Sequence, residues 1–315
     1  MQFVDVKEAF GKHAGESYNW LKVNDIGTYG GVLVETNTMH EANQSMVWGT
    51  GSVDEYGNSI PFTFKAESLS QFDVNEILRS GLVDDMSKVI DGLCEREFRS
   101  TNFKMVGTAS GAYAFSTDGT HTGINTSGLL TAYHIRKAVL ELKKKNVPGY
   151  TKLGGAYAGI INVAHSEQLE EDLIDNKSVQ NNTSGYQEVL LNGEVGKISG
   201  MRLIEDNFAT QFHYDPTART ATSKASDGPG GNVTVGKYIQ VASHAANANG
   251  ADAYFFGSPT VREAIVVPEE IRKKIPTDYG RSKGIAWYWL GGFRLEWGYE
   301  TDDQANARII HWSSQ

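Results

Sequence analysis

Residues 71 to 100 constrain this chain more than any other stretch. Val74, Leu78, Leu82, Met86, Val89 and Leu93 recur every three or four residues, which places them on one face of a long helix. Asp73 stands where an N-cap is wanted and Glu76 follows at the capping-box position, so carboxylates are available to accept the unpaired amide protons of the first turn. Gly81 and Gly92 weaken the rod, each by about 1 kcal/mol relative to Ala. A long single helix early in the chain, preceded by an extended polar ribbon and followed by a mixed region, is an unusual organisation for an enzyme.

At 315 residues the chain is long enough for one large domain or two smaller ones. With 40% hydrophobic and 21% charged residues it has the composition of a folded protein. The formal net charge of -9 works against sequence-independent binding of nucleic acid through the protein's overall field and leaves only local basic surface for that purpose. Cys94 is the single cysteine, so no intrachain disulfide forms, and its place in the helix predicts a buried free thiol. No run approaches the roughly 20 apolar residues that cross a bilayer, and no basic-then-apolar leader opens the sequence, so synthesis and folding in the cytoplasm are expected.

Residues 1 to about 30 carry several aromatics but no sustained period, and are expected to pack along the body or along a neighbouring subunit. Gly31 to Thr36 and Ile60 to Ala66 read as the two strands of a long hairpin, with Gly49, Gly51 and the Tyr56-Gly57-Asn58 region supplying turns. Such an isolated ribbon is marginal in water and needs a cover, either a partner chain or its own domain. After the long helix, residues 129 to 146 predict a second one, with Leu130, Ile135, Val139 and Leu142 on one face and Lys143, Lys144 and Lys145 near its C-terminus. Tyr157 to Val163 reads as a strand leading into a helix capped by Ser166, and Gly193 to Asp206 as a tight turn into a strand bearing Met201, Leu203 and Ile204. Thr217 to Asn232 reads as an exposed loop, with strands at Val233 to Val241 and Tyr254 to Phe256. Pro268 is predicted to open a short helix through Ile275. Ile285 to Trp297 and Ala307 to Trp312 have core-strand character, with Trp287, Trp289, Phe293, Trp297 and Trp312 filling volume.

Local signatures of chemistry are weak. The eight histidines occur singly, there is no HExxH, and one cysteine cannot build a thiolate metal site. Gly196-Lys197 fails as a phosphate loop because Leu191 holds the first glycine position and Ile198 replaces the hydroxyl residue. No GxSxG elbow is present. No catalytic, cofactor-binding or metal residue is therefore nominated.

The segments GEVGKISGMRLIED, AYAGIINVAHSEQLEEDL, AYFFGSPTVREAIV and KGIAWYWLGGFRLEW resemble the major capsid proteins of tailed bacteriophages, specifically the N4-like capsid family. The resemblance runs over nearly the whole chain and implies an α+β, HK97-type capsid fold. Its expected parts are an N-terminal arm (1–36), an extended β-hairpin loop (37–67), a peripheral domain (68–148) with its spine helix (71–100), an axial domain (149–284) and return strands (285–315). It implies a virion subunit that assembles in the bacterial host cytoplasm as pentamers and hexamers around double-stranded DNA. Portal, possible decoration and separate scaffolding proteins are its implied partners, because no long charged helical pre-domain precedes the arm. Trp20, Trp48, Tyr56, Phe62, Phe64, Arg79, Arg96 and Arg99 are the candidates for contacts between subunits. An encapsulin-like nanocompartment shell and, more remotely, a soluble α/β enzyme are the rival readings. Deleting residues 41 to 63 is expected to spare much of the monomer fold while preventing normal shell closure.

Overall fold

The structure is a computed structural model that describes residues 4–8, 17–23, 30–35, 38–41, 43–107, 113–116, 130–163, 165–166, 169, 194–206, 212–222, 232–240, 252–297 and 306–313. The first strands in chain order are β1 (Val4–Glu8), β2 (Ser17–Val23), β3 (Met46–Ser52) and β4 (Asp54–Thr63). Helices α1 (Phe64–Leu69) and α2 (Val74–Arg99) follow, then β5 (Lys104–Gly107), β6 (Tyr113–Ser116) and α3 (Ala132–Lys144). The remaining strands are β7 (Tyr157–Ile161), β8 (Glu194–Ile198), β9 (Met201–Glu205), β10 (Phe212–Thr222), β11 (Asn232–Gln240), β12 (Asp252–Phe256), β13 (Val261–Lys273), β14 (Ser282–Leu295) and β15 (Ile309–Ser313).

The long helix forms as its sequence predicts. Asp73 accepts hydrogen bonds from the amides of Asn75 and Glu76 at 2.9 and 3.3 Å, satisfying two first-turn donors. Its burial is uneven: Leu82, Ile90, Leu93, Cys94 and Phe98 are buried, whereas Leu78, Met86 and Val89 are half-buried. Gly81 faces open space, so its missing side chain removes no contact. The C-terminal half of α2 is thus the part held in the core, and Cys94 is a buried free thiol whose pKa burial pushes up to about 12.

Two sheets meet on that half. The four-stranded sheet runs β1-β13-β14-β4 and contributes Val261, Trp287, Trp289, Phe293 and Leu295 to the α2 core. The seven-stranded sheet runs β6-β5-β15-β12-β7-β9-β8 and contributes Ala158, Tyr254, Phe256 and Ile309. Strand β12 is buried on both faces, and its alternation divides the protein: Tyr254 and Phe256 point to α2, while Ala253 and Phe255 point to a second core. That second core is covered by Ile135, Ala138, Val139 and Leu142 of α3 over Met105, Met201, Leu203 and Trp312. The expected apolar face of α3 and the expected core tryptophans are therefore found, as is the turn into β9, where Ser199 and Gly200 take φ of 52° and 91°. The Gly200 value lies in the region that glycine occupies without a Cβ penalty.

Five local expectations are corrected. Pro268 to Ile275 opens no helix. Residues 268–273 continue β13, because β14 offers pairing from Tyr288 to Ile285 and the register shifts between Val267 and Glu270 seat the proline where no ladder donor is needed. Gly31 to Val34 is not a strand, and the hairpin pairs β2 with β3 instead. Tyr56 to Asn58 is no turn but the middle of β4, paired with Trp289 to Trp287, and the strand ends at Thr63 as α1 begins. Deletion of residues 41 to 63 would accordingly remove β4 from the four-stranded sheet and could not spare the monomer. Residues Thr217 to Thr222 belong to β10, paired with β11, while 223–231 lie outside the described residues. Ser166 does not cap the turn after β7: the amides of His165 and Ser166 both bond the carbonyl of Asn162, and the Ser166 hydroxyl donates to Glu205.

Where α2 ends, a buried polar cluster ties it to the seven-stranded sheet. The Arg99 guanidinium lies 3.0 Å from Glu95 and 3.1 Å from Asp252, and the Tyr254 hydroxyl donates to Glu95. Lys104 donates to the Arg99 carbonyl at 2.6 Å and meets His311 Nδ1 at 2.8 Å, while His311 Nε2 faces Asp252 at 3.3 Å. A neutral imidazole with its proton on Nε2 suits both neighbours. Burial pushes His311 down to about 3 and Lys104 down to about 8, with Asp252 opposing in each case. Burial also raises Glu95 to about 7 against the pull of Arg99.

Arg99→Met leaves two buried carboxylates without their cation and should destabilise the protein by about 3 kcal/mol in urea titration. Glu263 of β13 is buried and raised to about 7 by burial and by Glu269. Between pH about 4.5 and 7 the folded state keeps this proton and the unfolded chain does not, so the stability contributed by Glu263 is complete below that window and is lost as pH rises through it. Glu263→Gln should therefore stabilise the protein by about 1–3 kcal/mol at pH 8 and leave it nearly unchanged at pH 4.5, read from paired urea midpoints.

Candidate functional site

The β2–β3 ribbon is two different surfaces on one backbone. On its inner face Tyr18, Trp20 and Lys22 alternate as the buried positions of β2. They were hidden in the sequence because a lysine occupies one of them; its ammonium lies 5.9 Å from the Trp20 ring centroid and 5.4 Å from that of Trp297, so the cation is held by aromatic faces. Tyr18 and Trp20 stack with centroids 5.4 Å apart and pack with Ala264 and Val53. The Tyr18 hydroxyl donates to the Arg262 carbonyl at 3.4 Å.

Gly49 and Gly51, expected at turns, are strand residues across from these rings. A Cβ on Gly49 would lie 2.3 Å from the Trp20 ring, and one on Gly51 2.5 Å from Tyr18. The glycines are therefore the space into which the aromatics fold. A third glycine, Gly292, lets the Ser52 carbonyl approach where the chain passes from the ribbon into β4; a Cβ there would stand 2.1 Å from that oxygen. The ribbon is thus fastened at its root to the four-stranded sheet.

Among the described residues nothing covers the outer face in this way. The register puts Leu21 opposite Trp48 and Val23 opposite Met46, and all four are exposed, Trp48 at 66%. Val32, Leu33, Val34 and Met39, in the segment between the two strands, are also exposed. Scattered surface apolar residues are ordinary, but two adjacent cross-strand pairs on one face make a contiguous patch.

The contact candidates divide accordingly. Trp48 lies on the open face, whereas Trp20 is buried at the root. Tyr56 packs 5.4 Å from Trp289 in the core, and Phe62 is half-buried beside α2. Phe64 is exposed at the start of α1 with the Lys283 ammonium 4.9 Å from its ring, and Lys283 pairs with Glu67 at 2.6 Å. Arg79 is exposed at the mouth of a cleft with Glu76, Ile271 and Lys273, and Arg96 lines another with Asp54, Glu97 and Arg294. Arg99 is spent within the chain. Sequence reasoning missed Leu21, Val23 and Met46, because their alignment on one face depends on a strand pairing that the residues alone did not reveal.

Among the described residues no group of His, Cys, Asp or Glu side chains could hold a metal ion. His134 serves as a cap, accepting from the Thr131 amide at 3.2 Å, and His311 sits in the buried cluster. Among the described residues no helix is long and apolar enough to cross a membrane. The ribbon root yields a direct test. Gly49→Val should expel Trp20 from its seat, red-shift tryptophan emission and open the ribbon to limited proteolysis, while far-UV circular dichroism retains the α2 signal.

No protein-family model matches the chain, and no curated protein matches it. Solved structures do. The head structure of Helicobacter pylori bacteriophage KHP40 superposes with a TM-score of 0.63 at 14% identity, covering 98% of this chain and 88% of that one. The capsid of Ralstonia phage GP4 gives 0.62 at 12% identity, over 99% and 87%. The cyanophage Pam1 capsid gives 0.62 at 12% identity, over 96% and 86%. At such identities the likeness is one of fold, and across almost its whole length this chain has the mixed α and β fold of those phage capsid chains.

Proposed function

We propose that this protein is the major structural subunit of a tailed-bacteriophage head, an HK97-type capsid protein of the N4-like kind, and that it acts by assembly rather than catalysis. The observation that carries this reading is the β2–β3 ribbon, rigidly seated at its root yet apolar on its open face. In one copy that face stays wet; laid over a neighbour, each of these side chains, already about half covered, contributes about 1 kcal/mol. A contact between two different patches, repeated by rotation, closes a ring, so pentamers and hexamers follow from heterologous pairing without any symmetric interface. The segment around Gly49 and Gly51 owes its glycines to packing rather than flexibility, so adjustment between ring types falls to other parts of the chain. The shell so formed encloses double-stranded DNA, with separate scaffolding and portal proteins directing its size and vertex.

The test is substitution on the open face alone. Leu21→Ser combined with Trp48→Ser touches exposed positions and should change monomer stability by no more than about 1 kcal/mol. Expressed with the neighbouring virion genes, the variant should give soluble folded subunits and no closed particles by electron microscopy. Shells indistinguishable from wild type would remove the ribbon from the assembly mechanism.

A further inference from the structure

Helix α3 carries a second surface that neither the core nor the ribbon uses. Between residues 132 and 145 stand five cations, Arg136, Lys137, Lys143, Lys144 and Lys145, and one carboxylate, Glu141, leaving a local charge of +4 in a chain of net charge -9. Glu141 is engaged by Lys144 at 2.6 Å. Arg136 and Lys143 are exposed and seven residues apart, so they project from the same side with a rise of about 10 Å between them. Lys137 lies 5.2 Å from the Tyr133 ring and 5.8 Å from Tyr113, which holds its charge at the edge of the same stripe.

From this arrangement we infer that the exposed side of α3 is a contact for the phosphate backbone of duplex DNA. The inference rests on the shell reading for its partner, since an enclosed genome would meet subunits at very high local concentration. The exposed side is convex, with long cationic stems flanking the exposed Tyr133 and Leu140, a surface that fits a lattice of phosphates, whereas an acidic peptide would call for a groove. Duplex DNA carries one negative charge per about 1.7 Å of axis, so cations spaced along a helix find partners in many registers and the contact needs no base sequence. Few cations on an acidic protein give weak, salt-labile adhesion, which holds a packed duplex without blocking its release.

Unassembled wild-type subunits should bind a fluorescent 30-base-pair duplex with a log–log salt slope of about -3, as roughly three phosphate contacts require. Arg136→Gln with Lys143→Gln should bring that slope to about -1 and weaken binding at least tenfold at low salt, independent of duplex sequence. The charge-matched control, Lys65→Gln with Arg281→Gln, should leave both unchanged. Equal losses in the two variants would assign the binding to net charge, and no loss in the α3 variant would overturn the inference, including where that variant fails to assemble because the stripe meets an acidic surface of another copy. Wild-type subunits that bind the duplex through α3 yet never form shells would refute the shell reading and leave the α3 contact standing.

Discussion

The C-terminal half of α2 is the constraint on which the molecule depends. Phe98 makes edge-on contact with Phe256 at 4.9 Å and a tilted one with Tyr254 at 6.0 Å, both from the seven-stranded sheet. One turn earlier Leu93 and Cys94 belong to the same core as Trp289 and Leu295 from the four-stranded sheet. One helix therefore sets the position of both sheets, and the charge cluster of Glu95, Arg99 and Asp252 fixes its end against β12. Such a cluster adds little net stability once its desolvation is counted, but a mismatch would strand charge in the core, so it penalises every alternative docking of the helix.

From that frame the ribbon acquires its direction. Tyr18 and Trp20 need the vacant side of Gly51 and Gly49, and the passage from β3 into β4 needs Gly292 against the Ser52 carbonyl. Because β4 is itself an edge of the sheet that α2 supports, the ribbon inherits its orientation from the core rather than from its own two strands, which alone would be marginal. The same pleat that drives aromatics inward turns Leu21, Val23, Met46 and Trp48 outward. Burial on the inner face and exposure on the outer one are two consequences of one alternation.

Much of this was legible in the residues. The periodicity of α2, its Asp73 cap, the apolar face of α3 and the Trp-rich final strands all state locally what the structure does. The failures share a cause. Lys22 breaks the pattern of β2 because its cation finds aromatic faces contributed partly by Trp297, far along the chain. The charged residues after Pro268 suit a helix by propensity, yet β14 pairs with them and tertiary pairing wins. Gly49 and Gly51 look like turns until the opposing rings are known. The open face likewise depended on cross-strand register, and so did the company of Arg99, named among the candidates for subunit contacts: Glu95 stands four residues before it on the same helix, but Asp252 comes from β12 far along the chain.

The proposed assembly turns on whether another copy of the same chain covers the outer face of the ribbon. It is tested most directly by placing a photo-crosslinking amino acid at Trp48, irradiating assembled particles and identifying the attached peptides by mass spectrometry. Efficient links between separate subunits, abolished when the particles are dissociated before irradiation, are the expected result. Links confined within single chains, or a yield unaffected by dissociation, would contradict it.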